Sequence, residues 1–254
     1  MLADADTTDD AVLNGRLVLR QPQRGHRFGH DAILLAAATQ ARGGERACEL
    51  GAGVGAAGLA LAQRVPGLTV TLVEVEDALA QFARHNAARN GLDGRVTVTT
   101  LDVTAPARAF AEIGLAAGSC ARVLMNPPFN DPARQNVSPD ASRRRAHLGS
   151  AETLDSWLSR AAFLLGPSGT VTLIWRADGL ADVLAASSAF GAIVVVPIFP
   201  RPGTGAIRVI VSATKGSRAP LALMPGLTLN DADGKPSAAA EAVLREGAAL
   251  ELTP

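Results

Sequence analysis

The 254-residue chain is 48% apolar, enough to bury one sizeable α/β core, and its 24 lysines and arginines balance 24 aspartates and glutamates, so no global field draws it toward nucleic acid. Cys48 and Cys120 each sit in an apolar stretch without metal-ligand spacing, which excludes a zinc site and a disulfide framework and leaves two reduced core residues. The acidic opening MLADADTTDD lacks the basic and apolar regions of a secretory signal, and no apolar run approaches the roughly 18 residues of a membrane span, so a cytoplasmic protein is expected.

After a polar, frayed start, residues 31–41 (DAILLAAATQA) read as a helix with Asp31 as N-cap and Gly43 and Gly44 closing it. Short β-type runs then recur at about 46–50, 69–74, 95–101, 121–125 and 169–175, separated by Ala-rich or amphipathic segments of helical length. Asp77 to Asn90 is the clearest of these, with Leu79, Phe82, Ala83 and Asn86 on one face and Gly91 as its stop. From Asn126 to about Ser150 the periodicity fades, and four prolines and a basic cluster read as a long functional loop. Beyond Gly191, IVVVPIFP and AIRVIVSAT are two strands joined by a turn with no helix between them. Alternating strands and helices build right-handed βαβ units and a parallel sheet. The expected fold is therefore α/β, a doubly wound, Rossmann-like, seven-stranded sheet with a terminal antiparallel hairpin. It forms one domain over residues 1–254, with an N-terminal extension and helix (1–43), a core (44–214) and a C-terminal appendage (215–254).

Two stretches carry chemistry. The first strand ends in CELGAGVGAAG, where Gly51, Gly53 and Gly55 let the backbone turn tightly into the next helix and let a ligand approach without meeting a Cβ atom. Glu74 ends the second strand, where a carboxylate can accept hydrogen bonds from vicinal ribose hydroxyls. Gly53, Gly55 and Gly58 also match a dinucleotide fingerprint, so these features alone leave a nicotinamide-dependent oxidoreductase open, although a chain without tyrosine is no short-chain dehydrogenase.

The second stretch is more specific: the fourth strand, ARVLM, runs directly into Asn126-Pro127-Pro128-Phe129. Two prolines remove backbone donors and stiffen the loop, leaving the Asn126 amide oxygen and the Pro127 carbonyl as fixed acceptors. That set suits a planar amino group, whose delocalised lone pair becomes nucleophilic once both N–H bonds are held and the lone pair faces a methyl donor. Positioning of this kind can be worth on the order of 7 to 11 kcal/mol without a strong base. Phe129 would stack on the substrate's flat face, as in pockets for extruded bases.

GAGVG, Glu74, Asp102 and NPPF together resemble the class I S-adenosylmethionine-dependent amino-methyltransferases, whose members modify adenine, the guanine 2-amino group or a glutamine amide in proteins. The stretches LNGRLVLRQPQRGHRFGHDAILLAAA, WLSRAAFLLGPSGTVTLIWRADGL and FPRPGTGAIRVIVSATKGSRAP are similar to the bacterial family that methylates the adenine 3′ to the anticodon of a valine tRNA, and the likeness covers most of the chain. The resemblance implies S-adenosylmethionine as cofactor and tRNA as partner. It implies that Glu49 helps hold the cofactor's methionine end, that Asp102 contacts its adenine amino group, and that Phe28 and Asp31 lie on the helix closing over the methionine end. A guanine or protein glutamine substrate stays open, as does a non-catalytic module that keeps the fold. Basic residues for RNA would come from Arg143, Arg144 and Arg145 and from Arg201, Arg208, Lys215 and Arg218. His30 and His147 take no role, and oligomeric state is left undetermined.

Overall fold

In the computed structural model, residues 7–24, 27–128 and 139–252 are described, with side chains between 139 and 164 described from 152 onward. The β-type runs fold where the pattern places them: β3 (Arg46–Leu50), β4 (Thr69–Glu74), β5 (Val96–Thr100), β6 (Cys120–Met125) and β7 (Leu165–Arg176), then β8 (Phe190–Phe199) and β9 (Arg208–Lys215). Their order across the sheet is β8-β9-β7-β6-β3-β4-β5. β3 to β7 pair in parallel, and β9 runs antiparallel to both β7 and β8. This is the doubly wound seven-stranded sheet with its terminal hairpin. Two short strands, β10 (Ala222–Leu223) and β11 (Leu227–Thr228), extend it beside β8.

Helices cover both faces, which is why the central strands are apolar on both sides. α1 (His30–Ala38), α2 (Ala56–Arg64), α3 (Asp77–Arg89) and the C-terminal α7 (Ala238–Leu244) bury Leu34, Leu35, Leu59, Leu61 and Val243 against one face. α4 (Ala107–Glu112), α5 (Pro139–Leu164) and α6 (Leu180–Ala186) bury Phe110, Leu158, Leu164 and Val183 against the other. Along β6 the layers alternate, Val123 and Met125 facing α5 and Leu124 facing α1. Cys48 and Cys120 are buried and unpaired. Among the described residues no helix is long and apolar enough to cross a membrane.

Three expectations need correction. The chain start is not frayed from residue 7 on: β1 (Thr7–Val12) and β2 (Leu17–Pro22) form an antiparallel hairpin. Leu17 and Leu19 are buried in the core, while the intervening backbone is gripped by α3. There Asn86 exchanges two hydrogen bonds with Arg20, and Asn90 exchanges two with Val18, at 2.8 to 2.9 Å. α1 ends at Ala38 rather than near Gly43, because the Arg64 guanidinium donates to the Ala36 and Thr39 carbonyls at 2.8 and 2.6 Å and satisfies the helix end there. The stretch from 139 to 150 is helical, the first half of α5. Pro139 suits its first position, where a missing N–H costs nothing.

Candidate active site

The order of the sheet reverses at β3, so the crevice beyond the carboxyl ends of β3 and its neighbours is where an open α/β sheet places its ligand. Leu50 pairs with Val73 on one side and with Met125 on the other. The next residues along, Glu74, Gly51 and Asn126, therefore stand in one row at the ends of three adjacent strands. Two segments separated by more than 70 residues in sequence are brought together by that register.

The glycine turn is held by a few short contacts. Gly51, Gly53 and Gly55 have φ of +68°, +55° and +86°, a region that costs an L-residue roughly 1 to 2 kcal/mol. The Ala52 N–H donates to the Val73 carbonyl (2.9 Å) and the Gly55 N–H to the Ala52 carbonyl (2.8 Å). Gly51 is required by packing as well: a Cβ there would overlap Cη2 of Trp157, from α5, and lie 3.0 Å from Cζ3.

The acids tie this turn to the strands. Glu74 is 6% exposed; one oxygen accepts the Gly53 N–H (2.6 Å) and the other accepts the Glu76 N–H (2.9 Å). A carboxylate offers about four acceptor positions, so two remain for a ligand. Glu49 is buried beneath the turn, where Oε2 accepts the Gly58 N–H (2.6 Å) in the first turn of α2. α2 has no side-chain cap of its own, so Glu49 serves as a remote one. Burial pushes the Glu49 carboxyl up to about 8; nearby Glu74 also raises it, and the Gly58 N–H opposes both. Asp102, two residues beyond β5, is exposed and accepts the Thr104 N–H and hydroxyl, both at 2.7 Å, through Oδ1.

Asp31 is not the N-cap of α1; Gly29 holds that position without a side-chain bond. Asp31 lies in the first helical turn and accepts from Arg208 Nε (2.9 Å) at the start of β9, tying α1 to the same end of the sheet as Arg176. Asn126 has its Oδ1 buried with no hydrogen-bond partner among the described residues. Pro127 after it is buried and Pro128 is exposed. Phe129 and residues 130–138 lie outside the described residues, as do the side chains of Arg143, Arg144, Arg145 and His147.

Sequence reasoning missed three supports. Trp157 braces Gly51. Asn86, assigned only to a helix face, donates to the Val54 carbonyl of the glycine turn (3.0 Å) as well as to β2. Arg160 on α5 donates to the Val103 (3.1 Å) and Ala105 carbonyls and lies 4.2 Å over the Phe110 ring, fixing the segment after Asp102. An Asn three residues after an Ala-rich apolar face, repeated four residues on in HNAARNG, was the available signal for the second of these.

Known proteins similar to this chain are methyltransferases. The methyltransferase small domain family matches residues 28–144. A solved structure from Agrobacterium tumefaciens, described as a predicted O-methyltransferase, is 30% identical, covers 87% of this chain and 98% of its own, and superposes with a TM-score of 0.73. A tRNA1(Val) (adenine(37)-N6)-methyltransferase of Porphyromonas gingivalis is 30% identical over 62% of this chain, and the match spans 61% of that relative, less than two thirds of its length. The protein of the same name from Dickeya chrysanthemi is 27% identical over 87% of each chain.

Proposed function

This chain belongs to the S-adenosylmethionine-dependent methyltransferases, and from that premise we propose that it methylates the exocyclic amino nitrogen of an adenine in tRNA. The observation that carries the reading is Asn126 Oδ1, a buried acceptor with no partner among the described residues, in the row that also holds Gly51 and Glu74. An unmet buried acceptor costs about 1 to 3 kcal/mol, a cost removed when a substrate N–H reaches it. Relatives named for tRNA adenine methylation support the substrate class.

The residues present fit the cofactor: a tight turn of three left-handed glycines at the switch point of the sheet, Glu74 with acceptor positions to spare, Asp102 with a second oxygen beyond its Thr104 contacts, and Glu49 beneath the turn. Glu74 would hold the ribose hydroxyls, Asp102 the adenine amino group, and Glu49 and the Asp31 end of α1 the methionine end. When bound, the cofactor supplies an electrophilic methyl group on a sulfonium. Asn126 Oδ1 and the Pro127 carbonyl would each accept one N–H of the substrate amine, which turns the nitrogen lone pair out of the base plane toward that methyl. The two prolines hold both acceptors in place before substrate arrives, and Phe129 would stack on the base. No protein base is needed, because the nitrogen becomes acidic once it carries the methyl and releases its proton to water. An alcohol, by contrast, would need a base during attack, and the Asn126 amide cannot take a proton.

Transfer of labelled methyl from S-adenosylmethionine into total RNA against total protein tests the proposal directly, followed by digestion of the RNA to nucleosides. Label in N6-methyladenosine supports it. Label in 2′-O-methyl nucleosides, in a guanine or in protein glutamine would replace it with that substrate.

A further inference from the structure

A cavity of about 800 Å³ opens between the β1–β2 hairpin, the start of α1 and the β11–α7 segment. Phe28 is a shared wall: it lines the cavity and packs on Val54, Leu79 and Phe82, the cluster beside the glycine turn. Phe28 thus joins the cavity wall to the packing around Val54 of the glycine turn.

Its lining is neutral in sum and partly satisfied. Asp10 is ion-paired with Arg27 (3.0 Å) and also accepts from Gln21 (2.7 Å). Gln21 in turn accepts the Phe28 N–H (3.1 Å), and Glu241 pairs with Arg245 (3.4 Å). Two lining side chains, Asn14 and His30, make no hydrogen bond among the described residues. Asn14 is set at the rim by an unusual turn in which Leu13, Asn14 and Gly15 have φ of +53°, +54° and +79°. Left-handed Asn and Gly are what hairpin turns favour, so the turn's unusual feature is Leu13 alone, and Asn14 holds its place at the rim without strain. The floor beneath these polar groups is apolar, with Phe28, Ile33 and Leu244.

Paired charges of both signs disfavour a phosphate-rich ligand, whereas an apolar floor with an aromatic wall and free amide and imidazole groups at the rim suits a neutral, planar, polar group. Unpaired RNA bases are recognised in this way, by stacking on aromatic side chains and hydrogen bonds to their edges, and an Asn side chain can meet a base edge with both its donor and its acceptor. The volume falls in the range of small-ligand sites, ample for one nucleoside. We propose that this cavity is a second recognition site for the RNA, taking one unpaired base that flanks the target adenine. The inference rests on the RNA substrate proposed above, and would make substrate choice depend on a base that is not methylated.

The test uses the full chain and a hairpin RNA with an adenine-containing loop, in which 2-aminopurine replaces each loop base in turn. The wild type should change the fluorescence at one flanking position, and Leu244→Trp, which fills the cavity, should abolish that change. Asn14→Ala should weaken hairpin binding severalfold, with S-adenosylhomocysteine affinity and circular dichroism unaltered. Wild-type affinity for the hairpin in both variants would overturn the second site while leaving the RNA substrate standing. No binding of any RNA by the wild type, with methyl transfer to protein, would overturn the substrate and this site together.

Discussion

The Trp157 ring stands where a side chain on Gly51 would have to go, so that α5, the helix that follows the NPPF segment, props the first glycine of the turn after β3. Gly51→Ala should therefore raise the dissociation constant of S-adenosylhomocysteine at least tenfold, through overlap with the ring and through a left-handed φ of +68°. Trp157→Phe removes the overlapping atoms. Combined with Gly51→Ala it should recover part of the lost affinity, leaving the backbone strain, whereas additive losses in the double variant would show that the two residues do not act on each other.

Glu74 spends one oxygen on the Gly53 N–H and the other on the Glu76 N–H. Its removal is expected both to loosen the turn and to withdraw the acceptor we propose for the cofactor ribose. Loss of hydrogen bonds to a charged group is worth roughly 1.5 to 3 kcal/mol, so Glu74→Ala should weaken cofactor binding by about tenfold to a hundredfold in calorimetry. Unchanged affinity in a folded variant would remove Glu74 from the site.

These positions show what the chain made readable and what it hid. β3 to β9 were legible because they are apolar or alternating β-type runs bounded by turn residues, and Gly51, Glu74 and Asn126 were legible because each stands at the end of such a run. The hairpin was not, since four of the six residues of β1 (TTDDAV) are polar and its partner strand is fixed by Asn86 and Asn90, 66 and 72 residues away. The alternation of Leu17, Leu19 and Gln21, all buried, was the period-two signal that pointed to it. Trp157 beneath Gly51 and Glu49 against Gly58 could not be read at all. They depend on which helix packs on which face, and no local pattern encodes that.

Asn126 makes a prediction of a different kind. Replacing an orphaned buried acceptor with a methyl group removes a cost of about 1 to 3 kcal/mol, so Asn126→Ala should melt at the same temperature as the wild type or higher. Cofactor affinity should be near normal, and methyl transfer should fall by orders of magnitude, because the amine loses one of its two positioning acceptors. Turnover within a few-fold of wild type would refute the orientation mechanism.

Glu49 links the site to pH. Burial pushes its carboxyl up to about 8, from an ordinary value of 4.5 in the unfolded chain, so the folded chain favours the protonated form. The contribution of this group to stability is then full below pH 4.5 and is lost as the pH rises through about 8. Glu49→Gln keeps an oxygen for the Gly58 N–H and cannot ionise, so across that window its Tm should fall less with rising pH than the wild type's. The same proton should report on the cofactor. At neutral pH the free protein carries a largely neutral Glu49, and a cationic ligand placed near it favours the carboxylate. Binding of S-adenosylmethionine to the wild type should therefore release a proton, seen as a binding enthalpy that varies with the ionisation heat of the buffer, and binding to Glu49→Gln should not. Equal buffer dependence in the two proteins would place Glu49 outside the electrostatic reach of the ligand and leave it as the remote cap of α2 alone.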